Sequence, residues 1–279
     1  MHLTASGLDA AAEYARRHGL AALIVERGSE IEHAEFGNGF DARKPHALYS
    51  GAKSFWGVAA VRAQEDGILE LDEAVSATIE SWREDPWKRR VTLRMLLSLT
   101  SGFGFGGLGS AVPPYRRALE MELKNEPGTT FTYGGIPLQV FGAVLAQKLA
   151  PKTPHEYLRT RVLEPAGVRV ASWRKLSDGT QPLPTGASLT VDDWLAYGKF
   201  VLHERTALSE CFNGTKANGR YGLGWWLRVP GAPDDLFYAS GSGGQALYVV
   251  PSRELVAVHF GKSASYKHET LLKRLFSDD

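Results

Sequence analysis

The chain has 279 residues, 43% hydrophobic and 23% charged, enough to bury a real core as one catalytic unit. Its net charge of +1 argues against charge-driven binding to nucleic acid or to an anionic membrane. A single cysteine, Cys211, excludes an internal disulfide, and no apolar run reaches the ~18 residues of a membrane-spanning helix.

The first segment carries His2, Glu13, Arg16 and Arg17 without a long apolar run. It does not read as a signal peptide, so a cytoplasmic location is expected. Ser6 is placed to cap a helix over Leu8 to Arg17, which Gly19 ends. Leu20 to Val25 and Ile31 to Phe36 read as strands joined by a turn at Arg27-Gly28-Ser29. Gly37-Asn38-Gly39 and Pro45 then form a loop that leads into Tyr49-Ser50-Gly51-Ala52-Lys53-Ser54.

A helix beginning at or just before Ser50 would place residues i and i+3 on one face. The Ser50 hydroxyl then stands beside the Lys53 amine, the geometry of an S-x-x-K nucleophile. A serine hydroxyl needs a nearby base to take its proton. Lysine is such a base only when neutral, and near pH 7 this asks for a shift of roughly 3 units, about 4 to 5 kcal/mol. Desolvation can supply it. Phe55, Trp56 and the run Val58 to Val61 are apolar enough to bury the first turn. A second S-x-x-K, Ser172-Trp173-Arg174-Lys175, lies in a polar stretch with no apolar helix behind it and is not expected to do chemistry.

Gly67 to Val75 suggests a brief extended piece and a helix start. Val91 to Leu99 reads as an apolar helix with Thr92 as its cap, stopping at Thr100-Ser101-Gly102. Gly102 to Gly109 contains G-x-G-x-x-G twice. A dinucleotide site needs a strand before this motif and a helix after it. Here a helix precedes and Pro113-Pro114 follow, so a flexible loop near the active site is expected instead.

Glu126-Pro127-Gly128 forces a turn, Phe131 to Tyr133 is extended, and a helix runs from about Ile136 to Leu149 with Pro137 in its first turn. Tyr133 stands where the loop meets that helix. Its phenol can share a proton with Lys53 or pass one to a leaving group, or it can simply pack the loop on the core. His155 to Leu163 is a further helix, and residues 171–188 are loop-rich. Thr190-Val191-Asp192-Asp193 reads as a capping box for a helix through Leu202, with both aspartates in capping roles.

From Tyr221 the pattern turns to short strands: Leu223 to Val229, Leu236 to Ala239, Ala246 to Val250 and Leu255 to Phe260, closed by a helix over Tyr266 to Phe276. The expected fold is α+β. One antiparallel sheet forms from both termini (residues 1–65 and 216–279) and is flanked by helices. An all-helical subdomain (66–215) is inserted, and the Ser50 helix runs at the seam, a common place for a pocket. Ser240-Gly241-Ser242-Gly243-Gly244-Gln245 opens a strand, and glycines there let a ligand or another backbone approach closely. A backbone N–H from this stretch can pair with that of Ser50 as an oxyanion hole, or the stretch is only a hairpin turn. Trp225 and Trp226 either belong to the core or face the pocket, where they favour apolar groups.

Taken together these segments resemble the serine β-lactamase and D,D-peptidase superfamily, most closely its class C-like esterase and amidohydrolase branch. The resemblance rests on Tyr49 to Ser54, Val91 to Gly102, Pro127 to Tyr133, Thr190 to Asp193, Tyr221 to Trp226 and Gly241 to Pro251, in the family's order and over most of the chain. It implies a β-lactamase/transpeptidase-like fold, Ser50 as acylated nucleophile, Lys53 as base and Tyr133 as proton-relay partner. It also implies Ser242 as the second oxyanion donor through its backbone N–H.

Two departures stand out. The family's Tyr-x-Asn motif ends here in Gly135, and its Lys-Thr-Gly motif is replaced by Ala239-Ser240-Gly241. The cation that helps hold a β-lactam carboxylate is missing at that position. The expected activity is therefore a serine hydrolase cleaving a small ester or amide, with a β-lactamase or D,D-carboxypeptidase as the alternative enzyme. A catalytically silent acyl- or peptide-binding sensor is the non-enzymatic alternative. No metal or organic cofactor is implied.

Overall fold

The computed structural model describes residues 3–277. Helix α1 (Ala5–Arg17) leads into strands β1 (Leu20–Arg27), β2 (Glu30–Phe36) and β3 (His46–Ala47). After them come α2 (Lys53–Glu65), α3 (Leu93–Leu97), α4 (Tyr115–Glu120), α5 (Ile136–Leu149) and α6 (Pro154–Leu158). Strands β4 (Ser172–Trp173) and β5 (Ala187–Leu189) precede α7 (Val191–His203). Strands β6 (Trp226–Leu227), β7 (Phe237–Gly241), β8 (Gln245–Val250) and β9 (Leu255–Gly261) and helix α8 (His268–Leu275) complete the chain.

The main sheet is six-stranded in the order β2-β1-β9-β8-β7-β6. All of its pairings are antiparallel, so both ends of the chain build it as expected. Strands β8 and β9 are buried along their whole length, which explains their unbroken apolar runs. Alternation then sorts the side chains. Leu247 and Val249 face the larger core with α2 and α7, whereas Ala246, Tyr248 and Val250 face a second core closed by α1 and α8. The fold is three layers deep, with the sheet in the middle. Strand β2 is the mostly exposed edge, and its alternating charges suit that position.

Several local readings change. Thr4, not Ser6, caps α1: it has the extended backbone of a cap, and its Oγ1 accepts from the Gly7 N–H. The extended piece expected over residues 67–75 shrinks to a single bridge from Ala74 to Thr92, and the helix start is a short 3-10 turn, Val75–Ala77. The run Leu223 to Val229 keeps only two strand residues. The Leu223 and Gly224 N–H groups donate instead to the Cys211 and Leu97 carbonyls, and Arg228 turns the chain with φ of 53°. The inserted stretch is not all helical either. Residues 171–188 supply β4 and β5, which join β3 in a three-stranded sheet ordered β3-β5-β4. No helix among the described residues is long and apolar enough to cross a membrane.

Candidate active site

Ser50 lies in a 3-10 turn, Tyr49–Ala52, that runs directly into α2. Tyr49 holds φ of 49°, an uncommon conformation for a bulky residue, and so presents the next residue sharply to one side. The turn is pinned from both sides. Leu48 is fully buried, and β7 passes so close that a Cβ on Gly241 would lie 2.0 Å from the Leu48 carbonyl oxygen. Only glycine allows that approach, and it brings Ser240 and Ser242 to the rim beside Ser50.

Lys53 Nζ donates to Ser50 Oγ at 2.9 Å and to the Pro184 carbonyl at 3.5 Å. Its side chain is buried, and desolvation lowers its pKa from 10.5 to about 7. No carboxylate pairs with it among the described residues to restore the charge. The segment over Lys53 is held by buried polar anchors. Trp56 Nε1 donates to the Leu183 carbonyl at 2.7 Å, and Gln139 Oε1 accepts from the Leu183 N–H at 2.9 Å.

Tyr133 stands just before α5, in a segment docked on the turn that follows α3. The Thr132 N–H donates to the Leu99 carbonyl at 3.0 Å, and Leu99 itself sits at φ of 58°. The Tyr133 ring stacks on Trp226 at 5.8 Å, and Lys53 Nζ lies 4.7 Å from its centroid. Burial raises the phenol's pKa above 10, while a hydrogen bond with the Ser50 side chain pulls the other way. Three groups able to exchange a proton thus meet at one hydroxyl.

A cleft of about 580 Å³ opens over Ser50, with Tyr133, Trp226, Ser240, Gly241 and Ser242 in its wall. Leu108, Gly109 and Thr185 close the other side. Trp225 does not take part: it is fully buried and packs against Tyr197, Phe212 and Phe237 in the core. Trp225 stands just before β6 with its ring turned into the core, whereas Trp226, the first residue of β6, faces the cleft. Leu108 belongs to the glycine-rich loop already expected near the site. Thr185 carried no sequence signal, because the segment that holds it looked like plain loop. A larger cavity of about 650 Å³ lies beside His155 and Trp173, but none of Ser50, Lys53 and Tyr133 lines it. Ser172 stands at that cavity, apart from the proposed catalytic groups.

Gly135 has a structural reason. A Cβ there would lie 2.0 Å from the Gly107 carbonyl oxygen, so the glycine-rich loop occupies the space an asparagine side chain would need. Ala239 is fully buried in the larger core, and the described cleft lining holds neither lysine nor arginine.

The profile of the Beta-lactamase family matches residues 8–269. This chain belongs to the Beta-lactamase family. It is therefore a serine hydrolase of the β-lactamase-related superfamily. Over 151 residues it is 26% identical to a lovastatin esterase of Penicillium rubens, a match that covers 43% of this chain and only 37% of that relative. Among solved structures it is similar to a class C β-lactamase from Rhodobacter sphaeroides, with a TM-score of 0.74, 16% identity and 98% of both chains covered. It is also similar to EstCE1, a hydrolase with promiscuous acyltransferase activity, with a TM-score of 0.76, 16% identity, and 97% of this chain and 98% of that one covered. At such identities the structural likeness establishes the fold alone.

Proposed function

We propose that this chain hydrolyses a small, neutral ester or amide through an acyl-enzyme on Ser50. The observation that carries the reading is the 2.9 Å contact between Ser50 Oγ and a buried Lys53 whose pKa lies about 7. At neutral pH a large share of Lys53 is uncharged. Its lone pair can then take the Ser50 proton as Oγ bonds to the substrate carbonyl carbon. The carbonyl oxygen becomes an oxyanion facing the backbone N–H groups of Ser50 and Ser242. Ser50 is the second residue of its turn, so its N–H has no intrahelical acceptor and is available for this role. The leaving group departs with a proton relayed through Tyr133 and Lys53. Water then attacks the ester at Ser50, gives its proton to the same pair, and releases the acid.

Substrate class follows from the wall. Trp226 and Leu108 offer apolar contact, and the lining residues supply no cation for a carboxylate. A β-lactam carboxylate would go without one charge-assisted hydrogen bond, worth about 1.5 to 3 kcal/mol, or roughly 10- to 150-fold. The esterase among the relatives supports the ester reading. A silent binder would have no use for a lysine buried at such cost in stability. The cytoplasm is the compartment we assign, in keeping with a single buried cysteine.

The test is steady-state kcat/KM on p-nitrophenyl butyrate and on nitrocefin, with Ser50→Ala as control. The butyrate ester should be the better substrate, and Ser50→Ala should lose turnover of both. A higher value for nitrocefin would overturn the assigned substrate class. Undiminished turnover by Ser50→Ala would overturn the nucleophile.

A further inference from the structure

A buried chain of hydrogen bonds runs from the second core to the cleft. Tyr266 and Tyr248 share a hydrogen bond between their hydroxyls at 3.0 Å. The Tyr248 hydroxyl also meets His268 Nδ1 at 2.7 Å, and His268 Nε2 meets Ser240 Oγ at 2.8 Å. Ser240 lines the cleft beside Ser50 and is half-buried, whereas Tyr248 is fully buried.

The direction of this chain can be derived by counting protons. Burial pushes the His268 pKa down to about 3, so at neutral pH its ring carries one proton. Each of the three hydroxyls carries one as well. Three bonds and four protons can then be ordered in three ways, two with the ring proton on Nδ1 and one with it on Nε2. In one of the first two, Tyr248 accepts from both Nδ1 and Tyr266, and its own fully buried proton is left without an acceptor. If the protons point away from the cleft, Ser240 donates to Nε2, Nδ1 donates to Tyr248, and Tyr248 donates to Tyr266. The Tyr266 proton is then left over, and among the described residues its hydroxyl has Tyr248 as its partner. A buried donor without an acceptor bears its full desolvation penalty. If the protons point toward the cleft, Tyr266 donates to Tyr248, Tyr248 to Nδ1, and Nε2–H to Ser240. Every buried donor is then satisfied, and the proton left over belongs to Ser240, at the cleft.

We infer that His268 is a positioning residue which, held by Tyr248 and Tyr266, fixes the Ser240 hydroxyl as a hydrogen-bond donor into the cleft. Ser240 therefore selects an acceptor oxygen on the substrate, such as a carbonyl, ester or carboxylate oxygen, over an N–H donor. This rests on the hydrolase reading of the cleft, but the proton order does not depend on turnover.

The experiment has two arms on the full chain. The first is nitrogen NMR of protein labelled at histidine, with the His268 signals assigned by their loss in His268→Gln. A protonated Nε2 and a bare Nδ1 are expected. His259 provides an internal contrast: its Nδ1 lies 2.6 Å from the Gly244 carbonyl, an acceptor, and so must carry the proton. A His268 protonated at Nδ1, or at both nitrogens near pH 7, would overturn the inference.

The second arm is a double-mutant cycle on p-nitrophenyl butyrate with Ser240→Ala and His268→Phe. Ser240→Ala should lower kcat/KM about three- to tenfold, the range for one neutral hydrogen bond. The double variant should lose no more than Ser240→Ala alone. Independent, multiplying losses, or no effect of Ser240→Ala, would refute the positioning role. If His268→Phe does not fold, Tyr248→Phe takes its place in the cycle. Absence of turnover in the parent protein would refute the hydrolase reading and leave the NMR arm to decide this one.

Discussion

Lys53 titrates at about 7 in the fold but at 10.5 ordinarily. Between those values the unfolded chain binds more protons, so stability rises with pH across that window. Below about 7 both states carry the proton, and the folded state bears the whole cost of the buried charge, about 4 to 5 kcal/mol. Lys53→Met should therefore raise Tm, by more at pH 6 than at pH 10, while abolishing turnover. An equal gain at both pH values would contradict the burial argument. In the parent protein kcat/KM should fall as pH drops through about 7, as the Ser50, Lys53 and Tyr133 cluster takes up a proton. Lys53→Arg should not rescue activity, because arginine stays charged. Tyr133→Phe should cost about 10²- to 10⁴-fold in kcat, the usual range for one proton-transfer group. A loss within a few-fold would return Tyr133 to a packing role. The Ser50–Lys53 pair was legible in the sequence because i,i+3 spacing and an apolar flank are local properties, whereas the relay role of Tyr133 was only implied by the family resemblance. The Ser240–His268 contact was not legible, since 28 residues separate its partners.

Elements with strong local signals were read closely. Helix α5 begins at Ile136 and ends at Leu149 as its Gly-Gly-Ile-Pro entry and apolar run suggest. The Thr92 and Thr190 side chains cap α3 and α7. Thr190 accepts from the Asp193 N–H, and the Asp193 carboxylate accepts from the Thr190 hydroxyl and the Arg169 N–H, not from the backbone N–H of its cap. Short strands fared worse, because two or three residues with partners far along the chain leave no periodicity to detect. Trp225, just before β6, is buried in the core, whereas Trp226, in β6, lines the cleft. Trp225→Ala should cost about 3 to 5 kcal/mol of stability, as expected for a buried aromatic. Trp226→Ala, at a half-buried ring packed on Phe131, Tyr133 and Tyr221, should cost less stability than Trp225→Ala and raise KM for an apolar ester. Thermal melts and kinetics of the pair would check this; the reverse pattern would show the assignment to be wrong. Gly135→Asn restores the family's residue on paper only. It should lower both Tm and activity by displacing the Gly107 backbone.

At the scale of the whole molecule, the sheet contributed by both ends of the chain was readable because its central strands are continuous apolar runs and its edge is not. The cleft was harder to foresee. Its far wall comes from the glycine-rich loop and from residue 185, segments whose shape depends on Gln139 and Trp56 holding them over Lys53. The molecule thus brings Ser50 from one segment, Tyr133 from a second and the Ser240-Gly241-Ser242 stretch from a third to one cleft, as the proposed nucleophile, relay and oxyanion donor. The central claim is that the Ser50 hydroxyl becomes acylated. Intact-protein mass spectrometry after brief exposure to a fluorophosphonate, followed by peptide mapping, tests it most directly. One adduct per chain on Ser50, absent in Ser50→Ala while Tm is retained, is the expected result. An adduct on Ser172, or labelling that persists in Ser50→Ala, would contradict the account.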